Sequence, residues 1–340
     1  MEIRDIKLTP LLDTLRLEKI SDETYFSEKY KGYVSNSRLG LINPKQDGSP
    51  EKFFTGFKQG YNSSFELGSA VHELVLQPEL FCLEENTNKP TAKLGAMADE
   101  LYSTYLKKGE VTKEDVINAS NKIEYYVDKI TDKRYNEVIE KCTPYWEYRK
   151  NVMPSDKEQI FLDHKSTEIV KSCVDSLLSD NNVVSLLHPE GLLEDPISEN
   201  EKAVLLDVKV ECPNGKEFIL RLKSKIDNYT IDKETNTITI NDVKTIGRFV
   251  NEIDDNIIKY HYGRELAMYS YLLKLCAEKF YGMSKPTIKA NYLVVSTVPN
   301  FYSKVRPATD EELIKGFYEF DILLRFVAYC IGYKNYSFDE

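Results

Sequence analysis

Residues 237–249 read TITINDVKTIGRF. The β-branched residues of this stretch alternate with polar ones, which predicts a β-strand with one buried face. Side chains two positions apart point to the same face of a strand, so Ile238, Ile240, Asp242 and Lys244 share one face. An apolar face that ends in two charged residues requires a partner for those charges.

Two further strands are predicted just upstream. KAVLLDVKVEC (202–212) and KEFILRLKSKIDNYTID (216–232) are both rich in β-branched and apolar residues, and PNGK (213–216) and DKETN (232–236) are turn segments. Together with the opening stretch they predict a meander of three strands.

The second turn fixes which residues face each other. If DKETN centres a hairpin, the numbers of facing residues sum to about 469. Asp227 then faces Asp242, and Lys225 faces Lys244, next to apolar pairs on the same face. The buried part of the face therefore leads into four charged side chains.

The chemistry of this charged end follows from the two carboxylates. Facing Cβ atoms lie roughly 5 Å apart, so two carboxylates repel unless something neutralises them. Mg²⁺ does so with one or two carboxylates, waters and phosphate oxygens, and a neighbouring lysine can act on a phosphate or a nucleophilic water. The spacing fits a metal-dependent phosphodiesterase site.

A purely structural interpretation stays open at this point. Charges at strand ends are common, the register could slip by one or two residues, and an ion pair between Lys225 and Asp242 would give a similar pattern.

Helical patterns lie on both sides of the three strands. FELGSAVHELVLQPELF (65–81) predicts a short helix carrying His72, and residues 95–190 are helical throughout, with a capping start at Thr112. After the meander come a helix at 263–282, a strand at 287–297 and a long helix that begins at a Thr309 capping box. Residues 1–62 predict loops around short helices.

These elements predict a mixed α/β fold in which helices flank a central mixed β-sheet. We expect three regions. Residues 1–95 hold an N-terminal segment and the His72 helix of the core, residues 96–190 form a helical subdomain, and residues 191–340 form the core sheet and C-terminal helices.

Composition limits the classes of function. The chain has 340 residues, is 41% hydrophobic and carries a formal net charge of −10, which disfavours nucleic-acid binding over the whole surface. Contact with nucleic acid must therefore be local or metal-mediated, and Lys216, Arg221, Lys223 and Lys225 make the approach to the hairpin positive. Six cysteines stand singly without CxxC spacing, no stretch is long enough to span a membrane, and we expect an intracellular protein with reduced thiols.

Asp227 followed by Asp242-Val243-Lys244 resembles the core of the PD-(D/E)XK nuclease superfamily. GSAVHELVLQPELF (68–81) is similar to the histidine helix of phage-type and exonuclease VIII (RecE)-like members, and more loosely of RecB-type nuclease domains. The resemblance also takes in YVSNSRL (33–39), LKSKID before Asp227 and HYGRELAMYSYLL after the hairpin. It implies a sheet of the restriction-endonuclease-like type.

The resemblance implies roles for single residues. Asp227 and Asp242 would bind the catalytic metal, with the backbone carbonyl of Val243, and Lys244 would position or activate the attacking water. His72 would be a further metal ligand, as in the RecB-like branch, although a histidine packed beside the core would give the same pattern.

Substrate contacts are implied for the helix after the hairpin. Glu265 and Tyr269, one turn apart, match a Gln-x-x-x-Tyr pattern that contacts DNA, but Glu departs from Gln because it cannot donate a hydrogen bond and repels phosphate. Tyr269 could equally be a core aromatic residue. Lys225 could contact phosphate or remain a solvated charge, and Glu199, at a position that is often acidic in related proteins, could belong to the site or to a solvated turn.

The activity implied is a Mg²⁺- or Mn²⁺-dependent deoxyribonuclease, an exonuclease of phage recombination type in the host cytoplasm. The partners implied are DNA, a single-strand annealing protein and further copies of the chain. Two other classes stay open: a nuclease-fold protein that has lost catalysis and serves as a DNA-binding or assembly module, and an unrelated scaffold whose Tyr-rich surface (23 tyrosines) binds a protein.

Overall fold

The computed structural model describes residues 3–56, 63–85, 87–125 and 130–338. The chain forms two compact units. The sheet unit comprises Met1–Phe57, Ser179–Val295 and Ser303–Glu340, and the helical unit comprises Lys58–Leu178 and Ser296–Tyr302. The helix that carries His72 clusters with the helical unit, whereas the sequence suggested that residues up to 95 accompany the sheet.

Eight strands occur in the described residues. In chain order they are β1 (Lys7–Lys19), β2 (Phe81–Glu84), β3 (Glu158–Phe161), β4 (Ile197–Glu211), β5 (Glu217–Asp232), β6 (Thr237–Ile246), β7 (Thr287–Ser296) and β8 (Ser303–Pro307). Six of them form one sheet in the order β1-β4-β5-β6-β7-β8, and β2 pairs with β3 in parallel.

Twelve α-helices accompany the strands in the described residues. They are α1 (Asp22–Tyr25), α2 (Asn36–Ile42), α3 (Pro50–Thr55), α4 (Ser63–Leu76), α5 (Ala92–Lys108), α6 (Lys113–Ile123), α7 (Asp132–Asn151), α8 (His164–Ser179), α9 (Asn181–Leu187), α10 (Ile253–Tyr260), α11 (Tyr262–Tyr281) and α12 (Asp310–Tyr333). The mixed α/β architecture with a central sheet flanked by helices is confirmed.

The meander and its register agree with the sequence prediction. β4, β5 and β6 pair in antiparallel order. Between β5 and β6 the facing residues include Ile231 with Ile238 and Tyr229 with Ile240, which confirms the sum of 469. The last pair of this ladder is Asn228 with Asn241, so Asp227 and Asp242 each lie one residue beyond it.

The apolar half of this sheet face is buried under helices. Tyr229, Ile231, Ile238 and Ile240 are all completely buried and belong to the same cluster as Leu266 and neighbouring residues of α11. Burial of each large apolar side chain contributes about 1.5–3 kcal/mol, so the hairpin and α11 stabilise each other. This packing fixes the charged end of the face against the first turns of α11.

The predicted helix starts are present as capping boxes. The Thr112 side chain accepts from the Asp115 amide while the Asp115 carboxylate accepts from the Thr112 amide, and Thr309 and Glu312 do the same for α12. α12 crosses α11 where a side chain on Gly316 would collide with the Gly263 carbonyl oxygen. The close crossing requires glycine there.

Several strands were missed by the sequence analysis. β1 lies in a segment where loops around short helices were expected, and β2, β3 and β8 are short. β1 shows no clear alternation because it is a sheet-edge strand that contains Pro10 and a register shift between Leu11 and Arg16. Its extended form depends on pairing with β4, which is far away in the sequence.

The helical unit has its own core. Helices α5, α6 and α7 bury Met97, Val116, Val138, Tyr145 and Trp146. The indole of Trp146 donates to the Ala98 carbonyl at 2.8 Å, so its polar atom is satisfied. Across the described ranges, no helix has the length and apolarity that a membrane span requires.

Candidate active site

The two hairpin carboxylates lie together at the charged end of the sheet face. Asp227 on β5 is 8% exposed and Asp242 on β6 is fully buried. The backbone amide of Val243 donates to Asp227 Oδ2 at 2.9 Å, which ties the first carboxylate to the strand that carries the second. The structure thus brings Asp227, Asp242 and Val243 together.

Lys244 occupies the centre of a buried polar network. Its Nζ lies 3.0 Å from Asp242 Oδ1, 2.8 Å from Asp242 Oδ2 and 2.9 Å from Glu265 Oε2 on α11. The Tyr269 hydroxyl donates to Glu265 Oε1 at 3.3 Å. Of the two residues predicted to contact substrate, Glu265 pairs with Lys244 in this structure and Tyr269 bonds Glu265.

Burial and the neighbouring charges shift the pKa values of the residues in this network. Burial raises the pKa of Asp227 to about 7, against the opposing effect of Lys244, and burial also raises the pKa of Asp242 well above its ordinary value. Burial alone would raise the pKa of Glu265, but its ion pair and hydrogen bond with Lys244 hold it below the ordinary value. Burial opposes the charge of Lys244, yet Asp242, Glu265 and Asp227 raise its pKa well above the usual range.

One carboxylate oxygen of Asp242 differs from the other in its hydrogen bonding. Its Oδ2 is buried and, within the described residues, accepts no hydrogen bond of normal geometry although Lys244 Nζ is 2.8 Å away. The ion pair with Lys244 offsets part of the cost of burying this oxygen, which still lacks a hydrogen bond of normal geometry from any described residue. Oxygen ligands from carboxylates are what Mg²⁺ and Mn²⁺ prefer, so Asp227 and Asp242 fit a divalent cation.

Lys225 is engaged by carboxylates on the same side of the sheet. Its Nζ lies 2.6 Å from Asp22 Oδ1 and 2.7 Å from Glu201 Oε2, and its side chain is 11% exposed. A contact between Lys225 and phosphate therefore requires one of these ion pairs to open.

Glu201 is a site residue that the sequence analysis missed. The β4–β5 register, for example Asn200 with Asn228, places Glu201 opposite Asp227, and their carboxylate oxygens approach within 4.8 Å. This pairing could have been predicted from the PNGK turn, because a hairpin centred on Asn214 places Glu201 opposite Asp227. Glu201 also has a positive φ of 53°, which interrupts the ladder there.

The other sheet face carries a ladder of asparagines directly behind the carboxylates. Asn228 Nδ2 donates to Asn200 Oδ1 at 2.7 Å, Asn241 Nδ2 to Asn228 Oδ1 at 2.7 Å, and Asn291 Nδ2 to Asn241 Oδ1 at 2.9 Å. The ladder spans β4, β5, β6 and β7. It fixes the lateral spacing of the strands one residue away from Asp227 and Asp242.

Two of the segments that carry the family resemblance meet through Arg264. This guanidinium is 2% exposed, and its Nε donates to Asn36 Oδ1 at 2.7 Å while Nη1 donates to Glu319 Oε1 at 3.1 Å. Asn36 belongs to YVSNSRL and Arg264 to HYGRELAMYSYLL. The first segment therefore anchors the start of α11, where Glu265 is placed.

Two other sequence predictions, His72 and Glu199, have a structural position. His72 is half-buried on α4 in the helical unit, and its role as a metal ligand stays a prediction. Glu199 faces Tyr229 across β4 and β5 and pairs with Lys202 at 3.4 Å.

The expectation of a positive approach along the hairpin is wrong at two positions. Lys223 is 7% exposed, with its Nζ bonded to the Tyr25 carbonyl at 2.7 Å, and Lys225 is held by carboxylates. The physical reason is that α1 folds over this end of β5 and covers both side chains.

Comparison with family models and with curated proteins finds no match for this chain. Among solved structures, the chain is similar to a crystal structure named "Putative exonuclease" from Eubacterium rectale. The similarity covers 92% of this chain and 86% of that chain, with 10% sequence identity and a TM-score of 0.46. At this level the likeness does not bear on the chemistry of this protein.

Proposed function

We propose that the protein is a Mg²⁺- or Mn²⁺-dependent deoxyribonuclease that hydrolyses phosphodiester bonds, and that it acts as an exonuclease. The observation that carries the proposal is the buried set of Asp227, Asp242 and Lys244 at the end of an apolar strand face. Its spacing resembles the PD-(D/E)XK pattern, and within the described part of the chain Asp242 Oδ2 is buried and accepts no hydrogen bond of normal geometry.

Asp227 and Asp242 would hold the cation, with the Val243 carbonyl as a third oxygen ligand. When bound, the divalent cation supplies positive charge that offsets the negative charge gathering on the phosphate during hydrolysis. Glu201 lies close enough to Asp227 to share this role, and His72 remains a predicted further ligand.

Lys244 would act on the attacking water as a hydrogen-bond donor. Its pKa is raised by Asp242, Glu265 and Asp227, so its amine stays protonated at neutral pH and cannot remove a proton from water. Glu265 keeps the ammonium in place, and the Tyr269 hydroxyl orients Glu265. In this assignment Glu265 and Tyr269 are positioning residues.

The first test uses end-labelled linear DNA and covalently closed circular DNA with Mg²⁺, Mn²⁺ or EDTA. We expect loss of linear DNA alone, only with metal, in the wild type and in Asp255→Asn, which changes an exposed carboxylate on α10. Asp242→Asn should be inactive. Cleavage of circles would indicate an endonuclease, and DNA binding without turnover would indicate a catalytically inactive nuclease-fold module.

A second measurement does not depend on turnover. A cation that binds only the folded protein stabilises it by about 2.7 kcal/mol at a concentration 100 times its dissociation constant. We expect Mg²⁺ or Mn²⁺ to raise the melting temperature of the wild type and of Asp255→Asn, but not of Asp242→Asn. A smaller rise in His72→Asn would support His72 as a ligand, and an unchanged rise would argue against it.

A further inference from the structure

A pair of stacked tyrosines lies beside Lys244. The Tyr262 ring centre is 4.8 Å from Lys244 Nζ, and the Tyr260 ring stacks on it at 5.7 Å between centres with 28° between planes. Tyr262 is half-buried, while Tyr260 is 45% exposed. The stack therefore runs from the buried network outward to solvent.

The backbone is bent to make this stack. Residues two apart on a continuous helix do not face each other. His261, between the two tyrosines, has a φ of 56° and ends α10 where α11 begins. This left-handed residue breaks the helix, which allows the rings of Tyr260 and Tyr262 to come together.

The bend is anchored by side chains. His261 Nδ1 lies 2.7 Å from Glu319 Oε1 on α12, and the same carboxylate receives Arg264 Nη1 at 3.1 Å and Asn43 Nδ2 at 2.7 Å. A left-handed non-glycine residue persists only where its surroundings hold it, and such residues cluster at functional sites. The exposed ring of Tyr260 is thus set on a fixed support.

We propose that Tyr260 is a stacking platform for a nucleobase of the strand being cleaved. The inference rests on the proposed function, because the base must belong to a nucleic acid whose phosphate lies at Asp227, Asp242 and Lys244. At roughly 3.4 Å per nucleotide of a stacked strand, the two ring distances place Tyr260 within about three nucleotides of Lys244.

The aromatic ring of Tyr260 determines which kind of nucleic acid the platform would bind. An aromatic face stacks on any base, so the platform favours unpaired bases without sequence preference. Lys259 Nζ lies over the Tyr260 ring, 5.0 Å from its centre, so a stacking base would displace this ammonium toward the adjacent phosphate. The substrate class is therefore a single-stranded end or a frayed end of a duplex.

The test uses a single-stranded oligonucleotide with 2-aminopurine at successive positions, with Ca²⁺ in place of Mg²⁺ to measure binding apart from turnover. Stacking quenches 2-aminopurine fluorescence, so wild-type protein should quench the probe at one or two positions. Tyr260→Ala should lose the quenching and bind about 5- to 100-fold more weakly. Tyr260→Phe and Tyr260→Trp should keep both.

Phe280→Ala is the matched control. Phe280 is 44% exposed on α11, has Lys279 Nζ 5.1 Å from its ring centre, and lies about 27 Å along the helix from Tyr262. It should bind and quench as the wild type does. With Mg²⁺, Tyr260→Ala should raise KM and leave kcat close to the wild-type value, because stacking acts equally on bound substrate and transition state.

The outcomes separate two failures. A wild-type protein that neither binds nor cleaves DNA overturns the proposed function and the platform together. A wild type that cleaves DNA, with Tyr260→Ala equal to it in affinity, quenching and KM, overturns the platform alone. Weak binding by Tyr260→Phe would also overturn it, because the hydroxyl and not the ring would then make the contact.

Discussion

Replacing Asn241 by leucine should destabilise the sheet unit strongly. In the asparagine ladder its Nδ2 donates to Asn228 Oδ1 at 2.7 Å and to the Leu186 carbonyl at 3.2 Å, and its Oδ1 accepts from Asn291 Nδ2 at 2.9 Å. Leucine has a similar volume but cannot form a hydrogen bond with any of these three partner groups. Asn228 and Asn291 are buried and the Leu186 carbonyl is partly buried, so each group loses a hydrogen bond that water replaces poorly.

The magnitude follows from those three contacts. A buried polar group left without its partner costs about 1–3 kcal/mol, and the added apolar burial offsets part of the total. We expect Asn241→Leu to lower the unfolding free energy of the sheet unit by about 3–6 kcal/mol, a large part of the roughly 5–15 kcal/mol that stabilises a typical domain.

The assay must report on the sheet unit alone. Trp146 is the single tryptophan and lies in the helical unit, so its fluorescence follows that unit. Hydrogen–deuterium exchange of peptides from β5 and β6, measured over a urea series, gives the opening free energy of the sheet. Asn251→Leu, at an exposed position of the same unit, is the control and should change it little.

A double variant checks the cause. Asn228→Leu and Asn241→Leu remove the same mutual bond, so the double variant should lose clearly less than the sum of the two single losses. A loss below about 1 kcal/mol in Asn241→Leu, or additivity within about 0.5 kcal/mol, would refute the assignment of stability to the ladder.

Two further predictions concern buried cations. Burial lowers the pKa of Lys223 to about 8, so between pH 8 and 10.5 this residue binds more protons in the unfolded chain and contributes an increase of stability with pH. The wild type should therefore gain up to about 3 kcal/mol relative to Lys223→Met across this range, and urea unfolding of both proteins would show equal slopes if the argument fails. Arg264→Met should cost about 3–5 kcal/mol because Asn36, Gln46 and Glu319 lose their hydrogen bonds from the buried guanidinium and Glu319 loses its opposite charge. Arg264→Met combined with Glu319→Gln should recover part of the loss in thermal melting; no recovery would contradict the pairing.

The strands and helix starts around the candidate site could be predicted from the sequence, because each depends on residues that are close together in the chain. Alternation and a single turn set the β5–β6 register, and the confirmed pairs of Tyr229 with Ile240 and Ile231 with Ile238 placed Asp227 and Asp242 at the same end of one face. Capping boxes marked the starts of α6 and α12. Each of these signals is carried by residues close in sequence, so no knowledge of distant packing was needed.

The partners of the buried charges depend on contacts between residues that are distant in the sequence. Glu265 pairs with Lys244 from a helix 21 residues away, Lys225 is taken up by Asp22 from the N-terminal segment, and His261 adopts its left-handed backbone where Glu319 of α12 holds it. Propensities and periods describe which residues are buried, but the choice of partner for a buried charge depends on long-range packing and on the full set of neighbouring charges. For the same physical reason β1 became a strand only when β4 supplied its hydrogen-bonding partners.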